Sequence, residues 1–189
     1  MELKQVFDFL LETIKLSLLA FLIVFPIRYF VFQPFLVSGS SMFPNFEDHD
    51  YLLVDEISFR FREPERGEVI VFRAPAEPSS RYIKRVIGLP NETVEIRNGV
   101  IFISNDNGTE SLNESEYLSP EVFTSSNLKI TLKDGEYFVL GDNRLFSSDS
   151  RVWGILPEKN IIGKAFFRAL PANNLSLIIR PVYNLSFAF

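Results

Sequence analysis

Apolar residues follow one pattern at the start of the chain and another after it. Leu3, Val6, Phe7, Leu10, Leu11 and Ile14 recur at helical spacing among charges, so residues 1–15 read as a helical lead-in. From Leu16 to Val37 the strongly polar side chains are Arg28 and Gln33. A helix over that stretch is roughly 33 Å long, about a bilayer core, and 16–37 therefore reads as a transmembrane anchor. Its uninterrupted part, Leu16 to Ile27, is shorter than a full span and contains Pro26, a site for a kink. Arg28 and Gln33 then fall at the far interface, with Arg28 reaching towards headgroups. A cleaved signal peptide is one rival, because small residues Ser38-Gly39-Ser40 follow the apolar run. The aromatic continuation through Tyr29, Phe30, Phe32 and Phe35 is longer than such a core needs. The same length and aromatic flank oppose a buried helix of a soluble protein. Lys4 and Lys15 precede the span and no Lys or Arg lies between Ser38 and Ile57, which places the N-terminus in the cytoplasm and the rest outside.

Beyond Ser41 the period shortens to that of strands. Tyr51–Asp55 is a short apolar run, and Ile57–Arg62 alternates like a half-exposed strand. Further strands are expected at Glu68–Phe72, Tyr82–Ile87, Thr93–Ile96, Val100–Ile103, Leu128–Leu132, Tyr137–Leu140 and Ile161–Arg168, with Leu175–Arg180 a last candidate. Asn98-Gly99 is a strong hairpin signal, and Asp134-Gly135 and Gly88-Leu89-Pro90-Asn91 read as turns. Residues 105–127 are polar and read as an excursion carrying little chemistry. The expectation is a mainly β protein: an antiparallel β-sheet domain over 38–189 behind one N-terminal transmembrane helix.

Composition narrows the partners. A net charge of -5 with no basic block argues against nucleic acid. The chain has no cysteine and one histidine, so neither disulfides nor a thiolate or zinc site is expected, and no phosphate-binding glycine loop is present. No metal or other cofactor is called for. Asn-x-Ser/Thr triplets at Asn91, Asn107, Asn113, Asn174 and Asn184 matter only in a glycosylating compartment.

The candidate chemistry begins where the apolar run ends, at Val37-Ser38-Gly39-Ser40-Ser41-Met42-Phe43-Pro44. Gly39 permits a sharp turn and Pro44 stiffens the far side, so a hydroxyl between them can be held as a nucleophile, and Ser41 is the candidate. A serine needs a base. His49 sits in the acidic run Glu47-Asp48-His49-Asp50, which reads as a solvated turn, whereas Lys84 lies on a strand between Ile83 and Val86 with Arg85 facing the opposite side. A lysine facing an apolar interior loses its proton more readily and can accept one from serine; the bland alternative is a surface lysine on an edge strand. A third segment, Gly141-Asp142-Asn143-Arg144 through Ser147 to Arg151, packs hydroxyls, aspartates and arginines into one loop after a strand. Such a loop suits holding an amine and fixing its own shape with ion pairs; its bland reading is a solvated turn.

As an ordered set, these segments closely resemble the bacterial type I signal peptidases. The resemblance is carried by the apolar segment ending in Arg28-Tyr29-Phe30-Val31-Phe32, then Ser41-Met42-Phe43-Pro44, Arg66–Phe72, Tyr82–Pro90, and Gly141-Asp142-Asn143-Arg144 with Ser147 to Arg151. It implies a membrane-anchored serine endopeptidase with a Ser-Lys dyad that removes signal peptides from exported preproteins at the outer membrane face, beside lipid. On that resemblance Ser41 is the nucleophile, Lys84 the general base, and Ser147 the hydroxyl that orients the lysine amine. Asp142 with Arg85, and Asp149 with Arg151, match ion pairs that shape the site. Phe35, Val37, Tyr82 and Ile83 match a substrate groove taking small residues of the Ala-x-Ala kind. On the resemblance the oxyanion donor is the Ser41 N–H; some members add a hydroxyl where this chain has Gly39, so only backbone donors serve unless Ser38 or Ser40 reaches in. Asn45, where threonine is frequent, and Leu145-Phe146, where a polar pair is usual, also depart from the pattern. Phe43, Phe46, Phe59 and Phe61 are candidates for dipping into the interface, with core packing as the alternative. The rivals are a self-cleaving repressor-type Ser-Lys peptidase, for which residues 1–37 look wrong, and an anchored, non-catalytic β domain that binds preproteins.

Overall fold

The computed structural model describes residues 3–30 and 32–183, with side chains within the first helix described from Gln5 to Leu22. That helix, α1 (Leu3–Phe30), runs on through Pro26. The stretch expected to be helical up to Val37 ends earlier, because Phe32–Leu36 is a strand, β1, paired antiparallel with β2 (Tyr51–Asp55). Pro34 lacks an N–H but lies on the outermost strand of its sheet, where one ladder donor is dispensable. Phe7, Phe9, Leu16, Leu18 and Leu22 of α1 are all exposed. Among the described residues no helix is long and apolar enough to cross a membrane. The side chain of Arg28 and the sequon at Asn184 lie outside the described residues.

The body is mainly antiparallel β. The remaining strands are β3 (Val69–Arg73), β4 (Arg81–Gly88), β5 (Thr93–Arg97), β6 (Val100–Asn105), β7 (Gly108–Ser111), β8 (Leu128–Thr131), β9 (Glu136–Leu140), β10 (Leu156–Pro157), β11 (Ile161–Leu170) and β12 (Ser176–Leu177). A large sheet has the order β1-β2-β11-β3-β4-β9-β10, with β12 added on β11, and a smaller one the order β7-β6-β5-β8. Asn98 and Gly99, both at positive φ, close the β5–β6 hairpin, as the dipeptide predicts. Ile57–Arg62 is not a strand. The Asp55 carboxylate accepts from the N–H groups of Ile57 and Ser58 and from the Ser58 hydroxyl, turning the chain into a short 3₁₀ helix at Ser58–Arg60.

Both faces of the large sheet are covered, which is why its central strands are near-continuous apolar runs. Val37, Met42, Phe46, Leu52, Val54, Val71 and Ile83 form one buried cluster, with Phe35 packed against it. Ile70, Phe72, Val86, Tyr137 and Val139 form another, which takes in Tyr82 and Trp153. A third cluster joins the sheets through Ile87, Val94, Ile101, Ile103, Leu132 and Phe138. Gly88 marks that junction: a Cβ there would lie 2.4 Å from Val94 Cγ2, so the strands meet only over a bare backbone. Phe46 is 3% exposed and belongs to the core, whereas Phe61 is 84% exposed and Phe43 half exposed. The interface reading therefore loses Phe46, whose ring helps to fix the segment just after Ser41.

Candidate active site

Ser41 ends up beside Lys84 because two strand-derived segments converge. The chain leaves β1, is tied to the core at Val37, whose N–H donates to Asp50 O at 2.9 Å, and turns at Gly39 with φ of +87°. The Gly39 N–H donates to Asp48 Oδ1 at 2.8 Å, and Met42, fully buried, anchors the residue after Ser41. Lys84 comes from the centre of β4, flanked by β3 and β9. Its Nζ donates to Ser41 Oγ at 2.7 Å and to the Ile83 carbonyl at 2.8 Å, with the Tyr82 ring centroid 5.5 Å away. His49 is not near this pair in hydrogen bonding: its ring is exposed and its Nδ1 lies 3.1 Å from Asp48 Oδ2.

Lys84 is 3% exposed, and burial lowers its pKa from the usual 10.5 to about 8, against the pull of Asp149 and Asp142. Those carboxylates fail to hold the ammonium because each is already engaged. Asp142 accepts from Arg85 Nε at 2.9 Å and Nη2 at 2.6 Å, and from Asn45 Nδ2 at 2.9 Å. Asp149 accepts from Arg151 Nε at 2.8 Å and Nη2 at 2.7 Å, and from the Gly141 N–H at 3.1 Å. Both pairs are forked and almost fully buried, so little uncompensated negative charge faces the amine.

Ser147 lies beside the site but does not make the expected bond to the lysine. Its Oγ is buried without a hydrogen-bond partner, packed against Gly141 so closely that a Cβ at that glycine would sit 2.1 Å away. The same Cβ would be 2.4 Å from the Ser41 carbonyl oxygen, so Gly141 is the bare spot on which Ser41 and the loop meet. Asn143 seals the contact, its N–H donating to Ser41 O at 3.1 Å and its Nδ2 to Ser40 O at 3.0 Å. Among the described residues the Ser41 N–H donates to no protein acceptor.

The four groove candidates divide between two faces of the sheet. Phe35, Val37 and Ile83 share the cluster that also takes in Met42, next to Ser41, while Tyr82 stands on the Lys84 face, edge-on to Phe72 at 6.2 Å between centroids. Asn45, Tyr117, Glu114, Thr124 and Asn143 were not singled out from sequence as site residues. Of these, Asn143 stands within the Gly141–Arg144 motif and Asn45 is a departure from the family pattern, whereas the other three carry no signal; the Asn45 amide also donates to the Tyr117 carbonyl at 2.9 Å. The polar excursion 105–127 is thus in contact with the site. Among the described residues no group of His, Cys, Asp or Glu is arranged to hold a metal.

The family model for signal peptidase, peptidase S26, matches residues 10–170. A probable signal peptidase I-1 of Synechocystis sp. is 38% identical over 88% of this chain and 85% of its own length. Signal peptidase I of Leptolyngbya laminosa is 40% identical over 88% and 82%, and signal peptidase IB of Staphylococcus aureus 33% over 91% and 95%.

Proposed function

This chain belongs to the signal peptidase family, peptidase S26, and is a serine peptidase of that class; from this premise we propose that it cuts preproteins with Ser41 as nucleophile and Lys84 as general base. The observation carrying this reading is the 2.7 Å contact between Lys84 Nζ and Ser41 Oγ, with the lysine removed from water. In the neutral amine one Nζ–H keeps its bond to the Ile83 carbonyl while the lone pair turns to the Ser41 hydroxyl. Ser41 Oγ attacks the scissile carbonyl as its proton passes to Lys84, and the oxyanion takes the Ser41 N–H. Lys84 returns the proton to the leaving amine. It then takes one from water as the hydroxide attacks the ester, and gives it to Ser41 Oγ as the C–Oγ bond breaks, restoring the serine hydroxyl and neutral lysine and freeing the new carboxyl end.

The substrate segment lies extended along the edge formed by residues 82–84, with small side chains of an Ala-x-Ala end against Phe35, Val37 and Ile83. The helical part of the expected anchor, from residue 16 to the end of α1, holds the enzyme in the cell membrane, with 1–15 in the cytoplasm and the β domain, β1 included, outside; the exposed leucines and phenylalanines of α1 support this. The anchor confines enzyme and signal segment to one surface and raises their effective concentration. The reading is tested with an Ala-x-Ala preprotein in detergent micelles: the enzyme cuts after the second small residue, and substitution of that residue by a bulky one stops cleavage. Cleavage indifferent to it would defeat the specificity proposed.

The pH dependence has a definite sign. Only neutral Lys84 accepts the proton, so kcat/KM rises about tenfold per pH unit below the lysine pKa and levels above it, with the midpoint near pH 8. A midpoint in the usual histidine range, about 6.5, would point to another base.

A further inference from the structure

We propose that Glu114, in the polar segment 105–127, is a positioning residue that holds the 141–147 loop against the nucleophile through Arg144. The inference rests on the Ser41–Lys84 reading for its catalytic consequence. Arg144 is 2% exposed, and the carboxylate that pairs with it among the described residues is Glu114, which accepts from Nη1 at 2.6 Å and from Nη2 at 2.5 Å. Thr124 Oγ1 accepts from the same Nη1 at 2.5 Å. The remaining nitrogen, Nε, donates to the Gly141 carbonyl at 3.2 Å. One buried guanidinium therefore rivets two residues of the polar segment to the glycine on which Ser41 and Ser147 both press.

A guanidinium in this position is costly without its counter-charge, so its placement depends on Glu114. Any shift of Arg144 moves Gly141, and with it the Ser41 carbonyl that the Asn143 N–H also grips. Tyr117 braces the same arrangement: its hydroxyl donates to Glu114 Oε1, its ring lies 4.1 Å from the Arg85 guanidinium carbon, and its carbonyl accepts from Asn45. The segment thus meets both arms of the loop, at Arg144 directly and at Asp142 through Arg85 and Asn45.

The test is Glu114→Gln, which keeps the shape and removes the charge, assayed at pH 9, where Lys84 is mostly neutral. The expected result is a kcat lower by about tenfold or more with KM within about twofold. In an Arg144→Met background the same substitution adds no further loss, because its effect runs through the arginine. Hydrogen exchange gives a readout independent of turnover: protection of the Gly141 and Asn143 amides falls in Glu114→Gln. Unchanged kcat and unchanged protection, or losses that multiply in the double variant, would overturn the proposal. Should Glu114→Gln fail to fold, Glu114→Asp keeps the charge and shortens the reach; an intermediate loss supports the role and no loss overturns it. If Ser41→Ala still cleaves, the peptidase reading fails, and exchange alone decides the hold on the loop: lost protection upholds it, intact protection overturns it.

Discussion

Replacing Lys84 with methionine is expected to abolish cleavage while leaving the protein at least as stable as before. Methionine fills the same space on β4 but has no lone pair for the Ser41 proton, and loss of a base of this kind costs on the order of 10⁴-fold in kcat/KM. The stability effect has the opposite sign. With the folded pKa near 8 and the ordinary value 10.5, the folded state disfavours the ammonium by about 3 kcal/mol below pH 8. That penalty is fully present below pH 8 and is relieved as pH rises from 8 to 10.5, because the unfolded chain holds the proton throughout that window and the folded chain does not. Lys84→Met removes it, so the variant gains most at neutral pH and the gain fades by pH 10.5. Thermal melts at pH 7 and pH 10 alongside the activity assay check both signs; a melting temperature well below wild type at pH 7 would mean that Lys84 is a structural ion-pair partner.

The second large effect is expected at Gly141→Ala. The added methyl would stand 2.1 Å from Ser147 Oγ, 2.5 Å from Ser147 Cβ and 2.4 Å from the Ser41 carbonyl oxygen. The Ser147 hydroxyl can rotate away, but Ser147 Cβ and the Ser41 carbonyl are fixed to the backbone, and movement of that carbonyl carries Ser41 with it. A displacement of about 1 Å at a reacting group costs on the order of 10²-fold in rate, and overpacking a tight site costs about 1–3 kcal/mol of stability. Steady-state kinetics and a denaturant titration of the folded variant measure both. Wild-type turnover in Gly141→Ala would mean that the loop does not register the nucleophile.

How much of this was legible in the chain follows from which interactions are local. The runs at Val69–Arg73 and Arg81–Gly88, and the Asn98-Gly99 turn, declare themselves because burial on both faces and positive φ restrict residue choice over a few positions. Ser41 and Lys84 were readable as an ordered motif set, although their 2.7 Å contact spans 43 positions that periodicity says nothing about. Phe32–Leu36 was hidden because a short apolar run next to a helix has no period of its own, and its strand state comes from pairing with Tyr51–Asp55. At Ile57–Arg62 the alternation was real, but the Asp55 carboxylate captured the backbone first. Glu114 and Tyr117 sat in a polar stretch that resembles any solvated loop, and their partners Arg144, Arg85 and Asn45 lie far along the chain. Ser147 packs closely on Gly141 beside Ser41, and its Oγ does not make the bond to the lysine that the resemblance implies.

Attack by Ser41 on the substrate can be read out by exploiting a chain with no cysteine. Ser41→Cys introduces a unique thiol, and a thiol is the hydroxyl substitute most able to serve as a nucleophile. The expected results are measurable preprotein cleavage by Ser41→Cys, its loss on stoichiometric alkylation by a maleimide, no effect of the reagent on wild type, and no cleavage by Ser41→Ala. Alkylated Ser41→Cys that cuts as fast as the untreated variant, or a folded Ser41→Ala at the wild-type rate, would contradict attack by Ser41.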